Sequence, residues 1–225
     1  MIVQRRGNFI VFEGIDCSGT STQAQLLTTG LRREGRRVLL TSEPSHGPVG
    51  QLIRSYFSER ISSSFNRSAQ DKFFGCLFAA DRLDHIFNPV DGVAKQLGEG
   101  IDVVCTRYKF SSLAYNAETE EERSFVSAAN SELISPDVLI YLRCPLDVAL
   151  GRMHERVTKE TYEKDRHKLE NALLNFEREI GLFQGPKLVL DASRFPDQLA
   201  TDVFRFVKSI QCSPDSDSGS TEMSA

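Results

Sequence analysis

Residues Phe9 to Gln23 read FIVFEGIDCSGTSTQ, an apolar run that passes through Glu13 into Gly14 and meets Gly19 after four further residues. A strand entering such a turn presents a cradle of backbone N–H groups, an arrangement that binds nucleotide phosphates. Here the cradle comprises Gly14, Ile15, Asp16, Cys17, Ser18, Gly19, Thr20, Ser21 and Thr22. A helix follows, whose N-terminal N–H groups and dipole favour an anion. Ser21 stands where a hydroxyl reaches a nucleotide-bound Mg2+. One residue breaks the usual pattern: Thr20 takes the place of a lysine that neutralises the outer phosphates. An ordinary strand-to-helix turn is the other reading of the two glycines.

Three more stretches carry residues suited to a nucleotide. Ser42 to Arg54 reads SEPSHGPVGQLIR, with Pro44 and Gly47 marking a rigid loop. Leu77 to Arg82 reads LFAADR, and Phe78 and Arg82, four apart, share one helical face. Together they can stack on a base and bond its edge, or be a core ring beside a surface arginine. Thr106 to Asn116 reads TRYKFSSLAYN. Arg107 offers a fork of donors suited to phosphate and Tyr115 a flat wall; a capped turn with a surface arginine is the alternative. Candidates to replace the loop lysine are Lys109, two residues beyond Arg107, and Arg152 and Arg156, four apart on one helix, with Lys159 beside them. A solvated charged helix is the plainer reading of the last three.

Elements must bring these stretches together. Strand-like runs span Asn8–Glu13, Arg37–Ser42, Ile101–Arg107, Val138–Leu142 and Lys187–Leu190. The first, third and fourth lack clean alternation, as parallel strands covered on both faces do. Helical segments are expected over Thr22–Glu34, Val49–Phe57, Ala69–Phe87, Pro145–Val157, Tyr162–Leu182 and Pro196–Ile210. Alternating strands and helices predict an α/β fold, a doubly wound parallel sheet of about five strands flanked by helices. Ligands bind at the carboxyl ends of such strands.

The 225 residues suit one domain, read as 1–211 with a lid around 152–165. Residues 212–225 form an acidic, serine-rich tail expected to be disordered. The tail holds three of the excess negative charges in a net charge of −4, so no broad basic surface points to nucleic acid. No apolar run reaches the roughly 20 residues that span a bilayer. The N-terminus lacks a secretory apolar centre, so a cytoplasmic location is expected. The five cysteines and four histidines are scattered without metal-ligand spacing.

Taken in order, FIVFEGID, EP..G..G..IR, LFAADR, RY..SSLAY and PDVLIYL resemble thymidylate kinases from Phe9 to about Phe183. The resemblance implies a P-loop kinase-like fold, ATP and Mg2+, dTMP as acceptor, and a homodimer. It further implies that Asp16 accepts from the acceptor's 3′-hydroxyl and that Phe78 stacks on thymine. Arg82 would bond the thymine's exocyclic oxygen, Arg107 would hold the acceptor phosphate and Ser112 would read the base edge. Tyr115 would exclude a 2′-hydroxyl.

Three departures stand out: Thr20 for lysine, Thr106 for aspartate before Arg107, and Glu160-Thr161-Tyr162-Glu163 for a basic lid pattern. One oxyanion-type donor is worth about 3 kcal/mol, and phosphoryl transfer spreads its charge over several groups. Losing a cation and an anion together preserves the local balance, so a working kinase is expected. The alternatives are a degenerate nucleotide-binding homologue or a kinase for another monophosphate.

Overall fold

A computed structural model describes residues 5–61, 67–154 and 159–211. The expected tail, Arg156 and part of the expected lid lie outside these residues. Five strands run in parallel: β1 (Phe9–Glu13), β2 (Val38–Ser42), β3 (Asp102–Thr106), β4 (Val138–Arg143) and β5 (Lys187–Asp191), in the order β2-β3-β1-β4-β5. Every residue of β1 is buried, which explains its unbroken apolar run: helices cover both faces. In register, Phe12 lies opposite Thr106 on one side and Ile140 on the other, so β1 and β3 end level. The chain leaves β1 for β2 on one side and leaves β3 for β4 on the other. Their carboxyl ends therefore form a switch point, where such sheets open a crevice.

The helices are α1 (Thr20–Arg33), α2 (Pro48–Phe57), α3 (Arg67–Phe87), α4 (Val93–Gly98), α5 (Lys109–Tyr115), α6 (Glu120–Ala129), α7 (Leu146–His154), α8 (Lys159–Leu182) and α9 (Pro196–Gln211). Leu27 and Leu31 of α1 and Val203 and Val207 of α9 join one core with β1, while Leu169, Ala172 and Phe176 of α8 are buried in the same core. Three of these helices, α4, α5 and α6, were not expected from apolar periodicity. The α6 helix opens on a capping box, in which the Thr119 side chain and Glu122 satisfy each other's backbone N–H groups. The α5 helix packs on α8 and the residue after it through edge-on rings, Tyr115 with Phe176 at 6.1 Å and Phe110 with Phe183 at 5.7 Å. Among the described residues no helix is long and apolar enough to cross a membrane. Cys17, Cys76, Cys105 and Cys144 are free thiols.

Candidate active site

The loop between β1 and α1 is held open by two glycines. A Cβ on Gly14 would lie 2.8 Å from the Leu142 carbonyl oxygen, so only glycine permits that approach. Gly19 takes φ +100° and precedes α1 without a side-chain cap, which leaves the helix's first N–H groups pointing into the loop. Thr20 is the first residue of α1 and Ser21 the second. The loop lines a cavity of about 540 Å3 together with Arg107, Arg152 and Arg194. Within the loop, the buried Ser18 Oγ has no hydrogen-bond partner. Uncapped N–H groups and an orphaned hydroxyl suit a bound polyphosphate.

A second cavity, of about 450 Å3, adjoins it. Phe78, Arg82, Arg107, Ser112, Tyr115 and Asp16, the residues singled out for an acceptor, all line this one cavity. Asp16 and Arg107 line both cavities and so mark their junction. Arg107 follows β3 with φ +67°, a left-handed backbone uncommon for a side-chain-bearing residue. Its Nη2 donates to Asp16 Oδ1 at 2.5 Å and its Nη1 to Ser111 Oγ at 3.2 Å. The Tyr115 hydroxyl accepts from the Asp16 N–H at 3.0 Å and donates to Asp16 Oδ2 at 3.3 Å. The Arg107 guanidinium lies 5.5 Å over the Tyr115 ring. Burial disfavours its charge, but Asp16, Tyr115 and Glu13 outweigh that and hold its pKa above the ordinary value.

Arg82 is almost fully buried and held on three sides. Its Nε donates to Glu43 Oε2 at 2.5 Å, Nη1 to Asn130 Oδ1 at 2.5 Å and Nη2 to Ser112 Oγ at 3.1 Å. Five guanidinium N–H groups less these three leave donors for a ligand edge. Glu43 also faces His85 Nδ1 at 3.4 Å, whose Nε2 pairs with Thr41 Oγ1 at 2.8 Å. Neither Glu43 nor Asn130 was singled out from sequence, although Glu43 sits in the quoted SEPSHGPVG stretch. A third residue that spacing did not reveal is Lys168 of α8, which lines this second cavity 5.6 Å over the Tyr115 ring.

The structure separates the proposed replacements for the loop lysine. Arg152 reaches the loop, where Nη1 donates to the carbonyls of Cys17 and Ser18 at 3.2 and 3.4 Å and Nη2 to Ala192 at 2.8 Å. Lys109 does not. The chain turns sharply at Arg107 and α5 begins at Lys109, so its ammonium lies 5.8 Å over Phe110 and lines a separate cavity with Asn130, Glu179 and Phe183. Burial, with Arg82 adding to it, holds the Lys109 pKa below the ordinary value. Two residues along the chain from Arg107 is the wrong side of the turn.

Among the described residues no three His, Cys, Asp or Glu side chains gather as a metal site. A magnesium ion here would rest on the Ser21 hydroxyl, which lines the loop cavity. A single hydroxyl fits such an ion, which keeps several waters and few protein ligands.

The sequence model of the thymidylate kinase family matches residues 12–203. The thymidylate kinase of Trichlorobacter lovleyi is 32% identical over 206 residues, covering 87% of this chain and 94% of that protein. A Pyrococcus horikoshii protein named "Probable thymidylate kinase" is 33% identical over 203 residues, covering 90% and 97%. A Pyrobaculum aerophilum protein of the same name is 34% identical over 205 residues, covering 90% and 97%.

Proposed function

The chain belongs to the thymidylate kinase family, and from that premise we infer that it transfers the γ-phosphoryl group of ATP to dTMP, giving ADP and dTDP. The observation that carries this reading is the meeting of a phosphate-loop cavity and a base-sized cavity at Asp16 and Arg107. Donor and acceptor phosphates placed in the two cavities converge there.

In this reading Phe78 stacks on the thymine while the free N–H groups of Arg82 and the Ser112 hydroxyl read its edge. Asp16 takes the 3′-hydroxyl, Tyr115 closes the space beneath the sugar and Arg107 grips the acceptor phosphate. An oxygen of that phosphate forms the new bond to the γ-phosphorus as the bond to the ADP oxygen breaks. The attacking oxygen is already ionised, so no strong base is required. The N–H groups of residues 14–22 hold the donor phosphates, and Arg152 stiffens the loop through its carbonyls. Ser21 would hold a magnesium ion, whose chemistry there would be to neutralise charge on the donor phosphates. With threonine at 20, Arg107 and Lys168 supply the positive charge near the transferred group. A cytoplasmic homodimer is part of the same reading; Leu83 and Phe87, four apart and exposed on α3, offer apolar surface for pairing.

Purified protein assayed by coupled ADP release across a panel of monophosphates tests this. Turnover with dTMP above all others is expected. Absent turnover that appears only in a Thr20→Lys, Thr106→Asp double variant would mean a degenerate site.

A further inference from the structure

We propose that Glu13 is a positioning residue for Arg107, its carboxylate fixing from β1 the loop that aims the guanidinium at the acceptor phosphate. The proposal rests on the role assigned to Arg107 above. Glu13 is fully buried and lines neither cavity, so it cannot touch either nucleotide. Oε1 accepts from the N–H groups of Tyr108 at 2.8 Å and Ser111 at 3.1 Å, and Oε2 from the Ser111 hydroxyl at 2.6 Å. All three donors belong to the segment immediately after Arg107.

That segment needs an outside acceptor. The first N–H groups of a helix have no partner within it, and Tyr108, at the head of α5, supplies no side-chain cap. Glu13 supplies it from another strand, and a carboxylate there also suits the helix dipole. Arg107, with its left-handed φ, is thereby clamped on both sides. Its own N–H donates to Phe12 at 2.8 Å and the next N–H donates to Glu13. The clamp also extends to the guanidinium. Because Ser111 gives its proton to Glu13, its oxygen lone pairs are left for Arg107 Nη1 at 3.2 Å.

The charged and titratable groups facing Glu13 are Arg107 beyond β3, Cys105 on β3 and Tyr141 on β4. Burial and neighbouring carboxylates keep the last two protonated near neutrality, leaving Arg107 as the balancing cation. Burial pushes the Glu13 pKa up to about 7, against the opposing pull of Ser111 and Arg107. Protonation, or an amide in its place, turns the oxygen that receives the Ser111 proton into a donor. Ser111 must then reorient and Arg107 loses its seat.

The test is steady-state kinetics of wild type, Glu13→Gln, Glu13→Asp, Ser111→Ala and Arg107→Ala with dTMP and ATP from pH 5.5 to 8.5. Glu13→Gln should lower kcat/KM for dTMP by about 10- to 100-fold, the scale of a misplacement near 1 Å, while the KM for ATP moves within about twofold. Ser111→Ala should show the same selective loss on a smaller scale, and Glu13→Asp should recover part of it. Wild type should lose dTMP kcat/KM on acidification through about pH 7 beyond the fall seen in Glu13→Gln, which keeps only the titration of the substrate phosphate. Unchanged dTMP kinetics in Glu13→Gln, or parallel pH profiles, would overturn the proposal. If Glu13→Gln does not fold, Ser111→Ala decides alone: full dTMP activity there overturns it. Absent wild-type turnover or an unaffected Arg107→Ala would instead sink the functional reading beneath it.

Discussion

Acidification should stabilise this protein through Glu13, and the size of the effect follows from its burial. The side chain is fully enclosed, and its pKa stands at about 7 against an ordinary value of 4.5. The folded chain therefore binds this proton more readily than the unfolded chain. The contribution is fully present below pH 4.5 and is lost as pH rises through 7. A shift of about 2.5 units corresponds to ~3 kcal/mol, of which about 2 kcal/mol falls between pH 5.5 and 8.5. Urea unfolding of wild type and Glu13→Gln at several pH values isolates it, because every other titrating group is common to both. The stability difference between them should move by about 2 kcal/mol in favour of wild type as the pH falls from 8.5 to 5.5. Curves that stay parallel across the range would refute the reasoning, since the carboxyl would then titrate alike in both states.

Three other outcomes are expected. Arg107→Ala should weaken dTMP binding by about 1.5–3 kcal/mol in calorimetry, with ATP affinity changed much less; equal loss of both ligands contradicts the assignment. Arg82→Met should destabilise the fold by about 3–5 kcal/mol at neutral pH by leaving Glu43 buried without its cation, and Glu43→Gln in the same chain should recover part of that in denaturant titration. Lys168→Met should lower kcat by about 100-fold with little change in dTMP affinity, and Thr20→Lys in that background should restore part of the rate. An unaltered kcat in Lys168→Met excludes that lysine from the transferred charge.

The central strands were legible because they are buried on both faces: the expected Asn8–Glu13 is found as Phe9–Glu13 and Val138–Leu142 as Val138–Arg143. Short helices were not. KFSSLAY makes only seven residues of α5, too few for a helical period to show, and its position is fixed by Glu13 and by packing on α8. The α6 helix did carry a signal in Thr119-x-x-Glu122, a capping box readable from residue types alone. Asp16, Phe78, Arg82, Arg107, Ser112 and Tyr115 could be grouped from sequence because their types suit a nucleotide, and the structure brings them to one cavity. Glu13 and Asn130 make contacts that link distant parts of the chain, and Lys168 reaches its cavity from a distant helix, so spacing along the sequence does not reveal them. Lys109 shows the converse: proximity along the chain to Arg107 was cancelled by a single left-handed residue.

Asp16 and Arg107 carry a further consequence as a pair. A guanidinium 2.5 Å from a carboxylate already has its counter-ion. A simple anion without a hydroxyl, such as sulfate, must compete with that counter-ion and offers the displaced carboxylate nothing in return. A ligand bearing a phosphate and a hydroxyl on one rigid sugar makes both exchanges at once, phosphate for carboxylate at Arg107 and hydroxyl for guanidinium at Asp16. Under the function proposed above, the pair would act as a two-point lock that selects for a whole nucleotide over its fragments.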